Sequence, residues 1–180
     1  MIKAVIFDMF ETLVTLFTGR TYFSEHIAAD LNQPIEVFRK CWHETEKDRT
    51  LGKYSMEEGL KTGLITNSFS DERDMILSSP LYPLFDAAMI SYEQGISKPD
   101  PEIYRRAIQS LNVTPQECLY VGDGGSHELT GARELGMQAI QCTWFRDLAY
   151  EPHIPSPIYE DFPHAVTRQD ILNFINSQNA

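Results

Sequence analysis

Features that would indicate several protein classes are scarce in this 180-residue sequence. The three cysteines form no C-x-x-C pair, which fits reduced thiols in a cytoplasm and argues against a disulfide framework. The five histidines show no zinc-ligand spacing. No apolar run approaches the ~18 residues of a membrane span, and the N-terminal run 4–7 is too short for a signal peptide. We therefore expect a cytoplasmic protein that has no membrane partner.

Positive charge is also scarce, with 15 Lys and Arg residues against 26 Asp and Glu residues and a net charge of -11. A field of this sign repels nucleic acids and anionic membranes, so we expect neither as a partner. A phosphorylated substrate would need local positive charge or a bound cation. Hydrophobic residues make up 42% of the chain, which is enough for the core of about one domain.

Short apolar runs alternate with helical patterns along most of the chain. Runs that are apolar almost throughout are typical of strands covered on both faces. The alternation predicts an α/β fold with a doubly wound, Rossmann-like parallel sheet. The predicted strands are residues 4–7, 62–66, 87–91, 118–122, 138–144 and 164–167.

Capping residues predict where several helices begin and end. Ser70 is the predicted N-cap of the first helix after residues 62–66. Asp100 is the predicted N-cap of the next, with Pro101 in its first turn. Gly136 is the predicted C′ residue of a third. The proline-rich segment 151–163 is predicted to be an extended, solvated surface loop.

Residues 16–61 interrupt the alternation. Segments 21–32 and 35–48 each carry an apolar stripe at helical spacing, which predicts a helical cap inserted after the first strand. The predicted core is then residues 1–15 and 62–180. A four-helix cap would need roughly 55–60 residues, so we predict a small, truncated cap and an open site. Apolar side chains left uncovered on such a remnant would favour a homodimer through the insert.

Polar side chains follow each of the first four predicted strands. Because ligands gather at the carboxyl ends of parallel strands, we expect these side chains to converge. Asp8 can act as a nucleophile. Two further acids beside it, Asp123 and Glu128, would repel it without a cation, and Mg²⁺ is a hard ion that prefers oxygen ligands. Lys98 and the Thr66 hydroxyl can hold the oxygens of a transferred group.

Four stretches, FDMFETL, LITNS, ISKPDPEIY and VGDGGSHELTGA, resemble in order the four motifs of the haloacid dehalogenase-like (HAD) hydrolase superfamily. The resemblance covers residues 1–14 and 62–148. It implies a Mg²⁺-dependent, phosphatase-like hydrolase that acts on a small phosphorylated metabolite through an aspartyl-phosphate. The implied catalytic residues are Asp8, Thr66 and Lys98. The implied substrate-binding residues are Thr12, Asn67 and Ser68, and the implied metal site is Asp8, Phe10, Asp123 and Glu128.

Some of these assignments have simpler alternatives. Asn67 and Ser68 can instead be helix-capping residues. Glu128 can bind the metal directly, or it can be an acid that contacts the metal ligands without binding the metal. His127 is predicted to face solvent.

The first motif departs from the pattern of the superfamily's phosphatases. Phe10 occupies the position of their second aspartate, which donates a proton to the leaving oxygen, and Glu11 replaces a glycine. The dehalogenase branch carries an aromatic residue there but needs no metal, whereas Asp123 and Glu128 favour Mg²⁺ and phosphate chemistry. Two alternatives therefore remain: a 2-haloacid dehalogenase that uses Asp8 against carbon, and a HAD scaffold with little turnover that acts as a binding protein.

Overall fold

The structure is a computed structural model that describes residues 1–14, 60–149 and 155–179. The strands are β1 (Ala4–Phe7), β2 (Lys61–Thr66), β3 (Ala87–Ile90), β4 (Cys118–Gly122), β5 (Gln138–Cys142) and β6 (His164–Ala165). The α-helices are α1 (Ser70–Ser78), α2 (Ser91–Gln94), α3 (Pro101–Leu111), α4 (Glu128–Glu134) and α5 (Arg168–Asn179). Single 3₁₀ turns are Tyr82–Leu84, Pro115–Glu117, Gly125–His127 and Arg146–Leu148. The predicted cap helices 21–32 and 35–48, and with them the predicted dimer contact, lie outside the described residues.

The six strands form one parallel sheet in the order β3-β2-β1-β4-β5-β6. Strand β1 lies near the middle, where Phe7 pairs with Leu64 of β2 on one side and with Val121 of β4 on the other. This is the predicted doubly wound arrangement. It brings the carboxyl ends of β1, β2 and β4 together at one edge of the sheet.

Helices cover both faces of the sheet, as the apolar strands predict. Ile6 packs in one core with Ile103 of α3 and Leu129 of α4. Its neighbour Val5 points to the opposite face, where it packs in a second core with Ile171 of α5. A third cluster contains Ile76 of α1 and Leu64 of β2. The adjacent residue of β2, Ile65, packs in the first core, so Leu64 and the third cluster lie on the second face.

The helix boundaries confirm two of the three capping predictions. The Asp100 side chain accepts a hydrogen bond from the Glu102 N–H at 2.9 Å, and Gly136 takes the left-handed conformation with φ at 88°. The prediction for Ser70 is wrong, because Ser70 is the first residue of α1 and Phe69 is its N-cap. The Phe69 N–H donates instead to the Glu72 carboxylate at 2.8 Å. No helix among the described residues is long and apolar enough to cross a bilayer.

The last two strands are shorter than predicted. Strand β5 ends at Cys142 and not at residue 144, and β6 contains two residues where four are expected. For β6 the reason lies in the carboxylate of Asp170, which accepts hydrogen bonds from the backbone N–H groups of Val166 and Thr167 at 3.0 and 2.7 Å. These bonds turn the chain out of the sheet and into α5.

Candidate active site

Three acids from two adjacent strands meet at the carboxyl edge of the sheet. Asp8 follows β1 directly, and its backbone N–H still donates to the Val121 carbonyl at 2.9 Å, so rigid backbone holds it. Asp123 and Glu128 follow β4. One carboxylate oxygen from each acid lies within 4.8 Å of the others. The predicted convergence is confirmed for these three residues, and hard cations such as Mg²⁺ prefer this donor set.

Lys98 is the positive charge within this acidic cluster. Its ammonium is buried, donates to the Asp8 carboxylate, and donates to Glu128 Oε2 at 2.5 Å. Asn67 holds its backbone in place: the Lys98 N–H donates to Asn67 Oδ1 at 2.8 Å, and Asn67 Nδ2 donates to the Lys98 carbonyl at 3.0 Å. The side chain of Asn67 therefore links the loop after β2 to the loop that carries the lysine.

Glu128 is completely buried, and protein groups occupy both of its oxygens. Oε1 accepts from the Gly124 N–H at 3.1 Å, while Oε2 accepts from Lys98 and, at 2.9 Å, from the Tyr120 hydroxyl. A side chain at Gly122 would place its Cβ 2.1 Å from Glu128 Oε1. Of the two roles left open for Glu128, these contacts favour an acid that anchors Lys98 behind the metal ligands.

The cluster has more negative than positive groups. Burial raises the pKa of the Asp8 carboxyl above its ordinary value, although Lys98 acts in the opposite direction. Burial, followed by the charge of Asp8, raises the pKa of Glu128 to about 8 against the opposing effect of Lys98. For Lys98, burial acts to lower the pKa, but the two carboxylates outweigh it and raise the pKa. Among the described residues, three acids, counting Asp123, face one ammonium, so this part of the site needs protons or a further cation.

Three hydroxyl groups belong to the loops that follow β1 and β2 or to the end of β2. The Thr12 hydroxyl donates to Asp8 Oδ2 at 3.3 Å. Thr66 is completely buried at the end of β2, where its hydroxyl makes a long 3.5 Å contact to the Asn67 carbonyl. The buried Ser68 hydroxyl has no hydrogen-bond partner within residues 1–14, 60–149 and 155–179, while the Ser68 backbone N–H donates to Ser91 Oγ at 2.9 Å. The hydroxyls of Thr66 and Ser68 thus retain capacity for a ligand.

The side chain of Phe10 has no atom that can bind a metal. It is half-buried and packs against the apolar cluster that contains Met9 and Val14. If Phe10 belongs to the metal site, only its backbone carbonyl can take part. Glu11 adopts a left-handed conformation with φ at 58° and lines a small cavity together with Asp123.

Several residues at the site carry no motif signal. Ser156 Oγ donates to Asp123 Oδ2 at 2.7 Å, so the prediction that segment 151–163 is only a solvated loop is wrong at this position. Trp144 Nε1 donates to the Thr12 carbonyl at 2.9 Å and so holds the turn after the first strand. Tyr120 does carry a weak signal in the sequence, because it places a hydroxyl inside an otherwise apolar run. His127 is exposed, as predicted.

Comparisons with known proteins agree with the motif assignment. Residues 23–136 match the model of the haloacid dehalogenase-like hydrolases. A glyceraldehyde 3-phosphate phosphatase of Pyrococcus furiosus is 33% identical over 112 residues, which make up 58% of this chain and 45% of that protein. A phosphoserine phosphatase of Thermus thermophilus is 37% identical over 83 residues, 46% of this chain and 33% of that protein. The chain therefore matches less than half the length of either relative.

The fold also resembles solved structures. The crystal structure of a HAD phosphatase from Thermococcus onnurineus superposes with a TM-score of 0.62 at 17% identity, covering 97% of this chain and 98% of that one. This similarity concerns the fold alone. Because the family model spans more than half of the chain, and because the acids and the lysine of its motifs meet at one sheet edge, the protein belongs to the haloacid dehalogenase-like hydrolase family.

Proposed function

We propose that this protein is a Mg²⁺-dependent phosphatase that hydrolyses small phosphate monoesters through an aspartyl-phosphate on Asp8. The observation that carries the proposal is the acidic cluster, in which carboxylate oxygens of Asp8, Asp123 and Glu128 lie within 4.8 Å of one another and Lys98 is the one buried lysine among the described residues. One lysine leaves such a cluster short of positive charge. A divalent cation fills this deficit, and the bound cation can in turn bind the oxygens of a substrate phosphate group.

In the proposed reaction, a carboxylate oxygen of Asp8 attacks phosphorus while the bond from phosphorus to the leaving oxygen breaks. The leaving oxygen takes up a proton. Water then attacks the phosphorus of the acyl phosphate, which releases inorganic phosphate and restores Asp8. In this proposal Lys98 favours the ionised form of Asp8 and orients its carboxylate, and the hydroxyls of Thr66 and Ser68 donate to phosphoryl oxygens.

The donor set fits Mg²⁺ through oxygen atoms of Asp8 and Asp123, with Glu128 held behind them by Lys98 and Tyr120. When bound, Mg²⁺ would supply charge compensation for phosphoryl oxygens. The substrate class follows from the chemistry of the site and from the relatives, since two of them are phosphatases of glyceraldehyde 3-phosphate and of phosphoserine. We therefore propose a small phosphorylated metabolite.

The direct test is phosphate release from an aryl phosphate by the purified chain in EDTA and in a series of divalent metals. Release that requires Mg²⁺ supports the proposal, and a screen of phosphorylated metabolites then identifies the substrate. No phosphate release from any ester, in any metal, would contradict it.

Phe10 favours a second candidate, hydrolysis of a 2-haloacid. An aromatic side chain at this position removes the proton donor that phosphatases use, and displacement of a halide from carbon needs no such donor. Chloride release from a 2-chloroacid in EDTA would favour this reaction over the phosphatase. Tight binding of a phosphorylated compound without either turnover would instead favour a binding protein.

The absence of a carboxylate at Phe10 leads to a kinetic prediction. A positioned general acid is worth about 10²–10⁴-fold in rate. Without it, the leaving oxygen departs with little protonation, so we expect the parent to hydrolyse aryl and acyl phosphates much faster than alkyl esters. The measurement is the rate across phosphate esters whose leaving groups have graded pKa values. Phe10→Asp should flatten this dependence.

The matched control is Phe10→Asn, which removes the same ring from the same apolar cluster but supplies no proton. It should keep the steep dependence of the parent. A parent whose rates do not vary with leaving-group pKa would contradict the prediction. Glu11, which lines a cavity with Asp123, would then be the group to replace, as Glu11→Gln.

A further inference from the structure

Segment 155–159, which follows β5, lies against the loop that carries Asp123. No motif of the family includes this segment, and its sequence, PSPIY, predicts only an extended loop. The contacts described below nevertheless concentrate on this loop. Two of them come from the segment itself, through one hydroxyl and one aromatic ring, and the third is made by a buried amide side chain of β5 that bonds to both the segment and the loop.

The first contact is made by the hydroxyl of Ser156. It donates to Asp123 Oδ2 at 2.7 Å, while the other carboxylate oxygen, Oδ1, accepts from the Gly125 N–H at 3.0 Å. Each oxygen of Asp123 therefore has one donor in the part of the chain that the structure describes. Two donors on opposite oxygens fix the rotation of the carboxylate and leave a free lone pair on each oxygen for a cation.

The second contact is made by Gln141, which is completely buried at the end of β5. Its Nε2 donates to the carbonyls of Asp123 and Pro157 at 2.7 and 2.8 Å, and its Oε1 accepts from the Tyr159 N–H at 3.0 Å. One side chain thus ties the backbone of Asp123 to the backbone on the C-terminal side of Ser156. Arg146 holds the other side by donating to the Ser156 carbonyl.

The third contact is made by Tyr159. Its hydroxyl donates to the Gly124 carbonyl at 3.4 Å, and its ring lies 2.7 Å from the position that a Cβ on Gly124 would occupy. Gly124 also has a φ of 102°, which an L side chain rarely adopts. The close approach of the two segments therefore requires glycine at this position.

We propose that Ser156 is a positioning residue of the metal site, which orients the Asp123 carboxylate toward the cation and is itself held in place by Gln141. The inference rests on the proposed Mg²⁺ site. Hydrogen bonds to a ligating carboxylate reduce the ordering that binding requires, and losing one such partner typically weakens metal affinity about 10- to 100-fold. Ser156 is only half-buried, so its replacement removes one hydrogen bond without opening a cavity in the core.

The test is Mg²⁺ binding to the substrate-free chain by isothermal titration, with the free energy of unfolding measured by urea in EDTA. Ser156→Ala should raise the Mg²⁺ dissociation constant about 10- to 100-fold while the free energy of unfolding stays close to that of the parent. Ser156→Thr, which keeps the hydroxyl, should restore affinity to within a few-fold. The matched control is Ser177→Ala, because the hydroxyl of Ser177 donates to the Phe174 carbonyl on an exposed face of α5.

Three outcomes separate this inference from the proposed function. If the parent binds Mg²⁺ and Ser156→Ala binds it equally well, the role of Ser156 is wrong and the metal site stands. If the parent binds no Mg²⁺, the metal site and the role of Ser156 both fall. If Ser156→Ala weakens binding in a chain that hydrolyses no phosphate ester, the role of Ser156 stands and the proposed phosphatase activity fails.

Discussion

Asp8→Asn should abolish phosphate release, with a loss of more than about 10⁴-fold, which is the scale seen when an essential nucleophile is removed. The amide of asparagine is not a nucleophile, but its oxygen can still bind a cation. The fold should persist because Lys98 keeps its bond to Glu128. The measurement is turnover of an aryl phosphate, together with acid-quench trapping of a labelled phosphoenzyme, which should form in the parent and not in Asp8→Asn.

The matched control is Asp86→Asn. Asp86 is an exposed acid before β3, at the opposite edge of the sheet, where its carboxylate accepts from the Thr62 N–H at 2.8 Å. The control variant should retain the turnover of the parent. If Asp8→Asn keeps more than a small percentage of parental turnover, Asp8 is not the nucleophile, and the proposed intermediate is wrong.

Lys98→Met should have a large effect on stability as well as on turnover. It leaves the buried carboxylates of Asp8 and Glu128 without their shared ammonium, and breaking a buried ion pair from one side costs about 3–5 kcal/mol. We expect turnover at saturating Mg²⁺ to fall about 10²–10³-fold, because a preorganised positive charge is lost at the reacting group. The measurements are urea unfolding in EDTA and phosphate release in Mg²⁺.

Two further variants separate burial from charge. Lys3→Met removes an exposed lysine that bonds Glu117 at 2.5 Å, and exposed pairs contribute less than about 1 kcal/mol. The double variant Lys98→Met with Glu128→Gln removes both a buried cation and a buried anion, so it should recover part of the stability but none of the turnover. A Lys98→Met protein as stable and active as the parent would rule out the proposed role of Lys98.

The acids and the lysine of the site could be predicted from the sequence because each follows a recognisable strand. An apolar run that is covered on both faces leaves little freedom in where its strand ends, and parallel strands place those ends at one edge. Asp8, Lys98, Asp123 and Glu128 therefore meet as predicted, although they are separated by up to 120 positions along the chain. The sequence leaves two roles for Glu128, because only its hydrogen-bond partners distinguish an acid that anchors Lys98 from a metal ligand.

Local signals also explain where the helix predictions succeeded and failed. At Asp100 the capping side chain and the following Pro101 both favour the same boundary, and the helix begins there. At Ser70 the serine alone suggested a cap, but the Glu72 carboxylate binds the Phe69 N–H and moves the boundary by one residue. The end of β6 depends in the same way on a single carboxylate, that of Asp170.

The sequence by itself determined the class of fold, the order of the motifs and the acids and lysine of the site, because these depend on periodicity and on strand ends. Only the tertiary structure decided that Ser156, Gln141 and Trp144 belong to the site. Their partners lie 33, 18 and 132 positions away, respectively, and a serine, glutamine or tryptophan carries no local pattern that names such a partner. These contacts exist because the parallel sheet brings the chain after β5 back against the loops after β1 and β4.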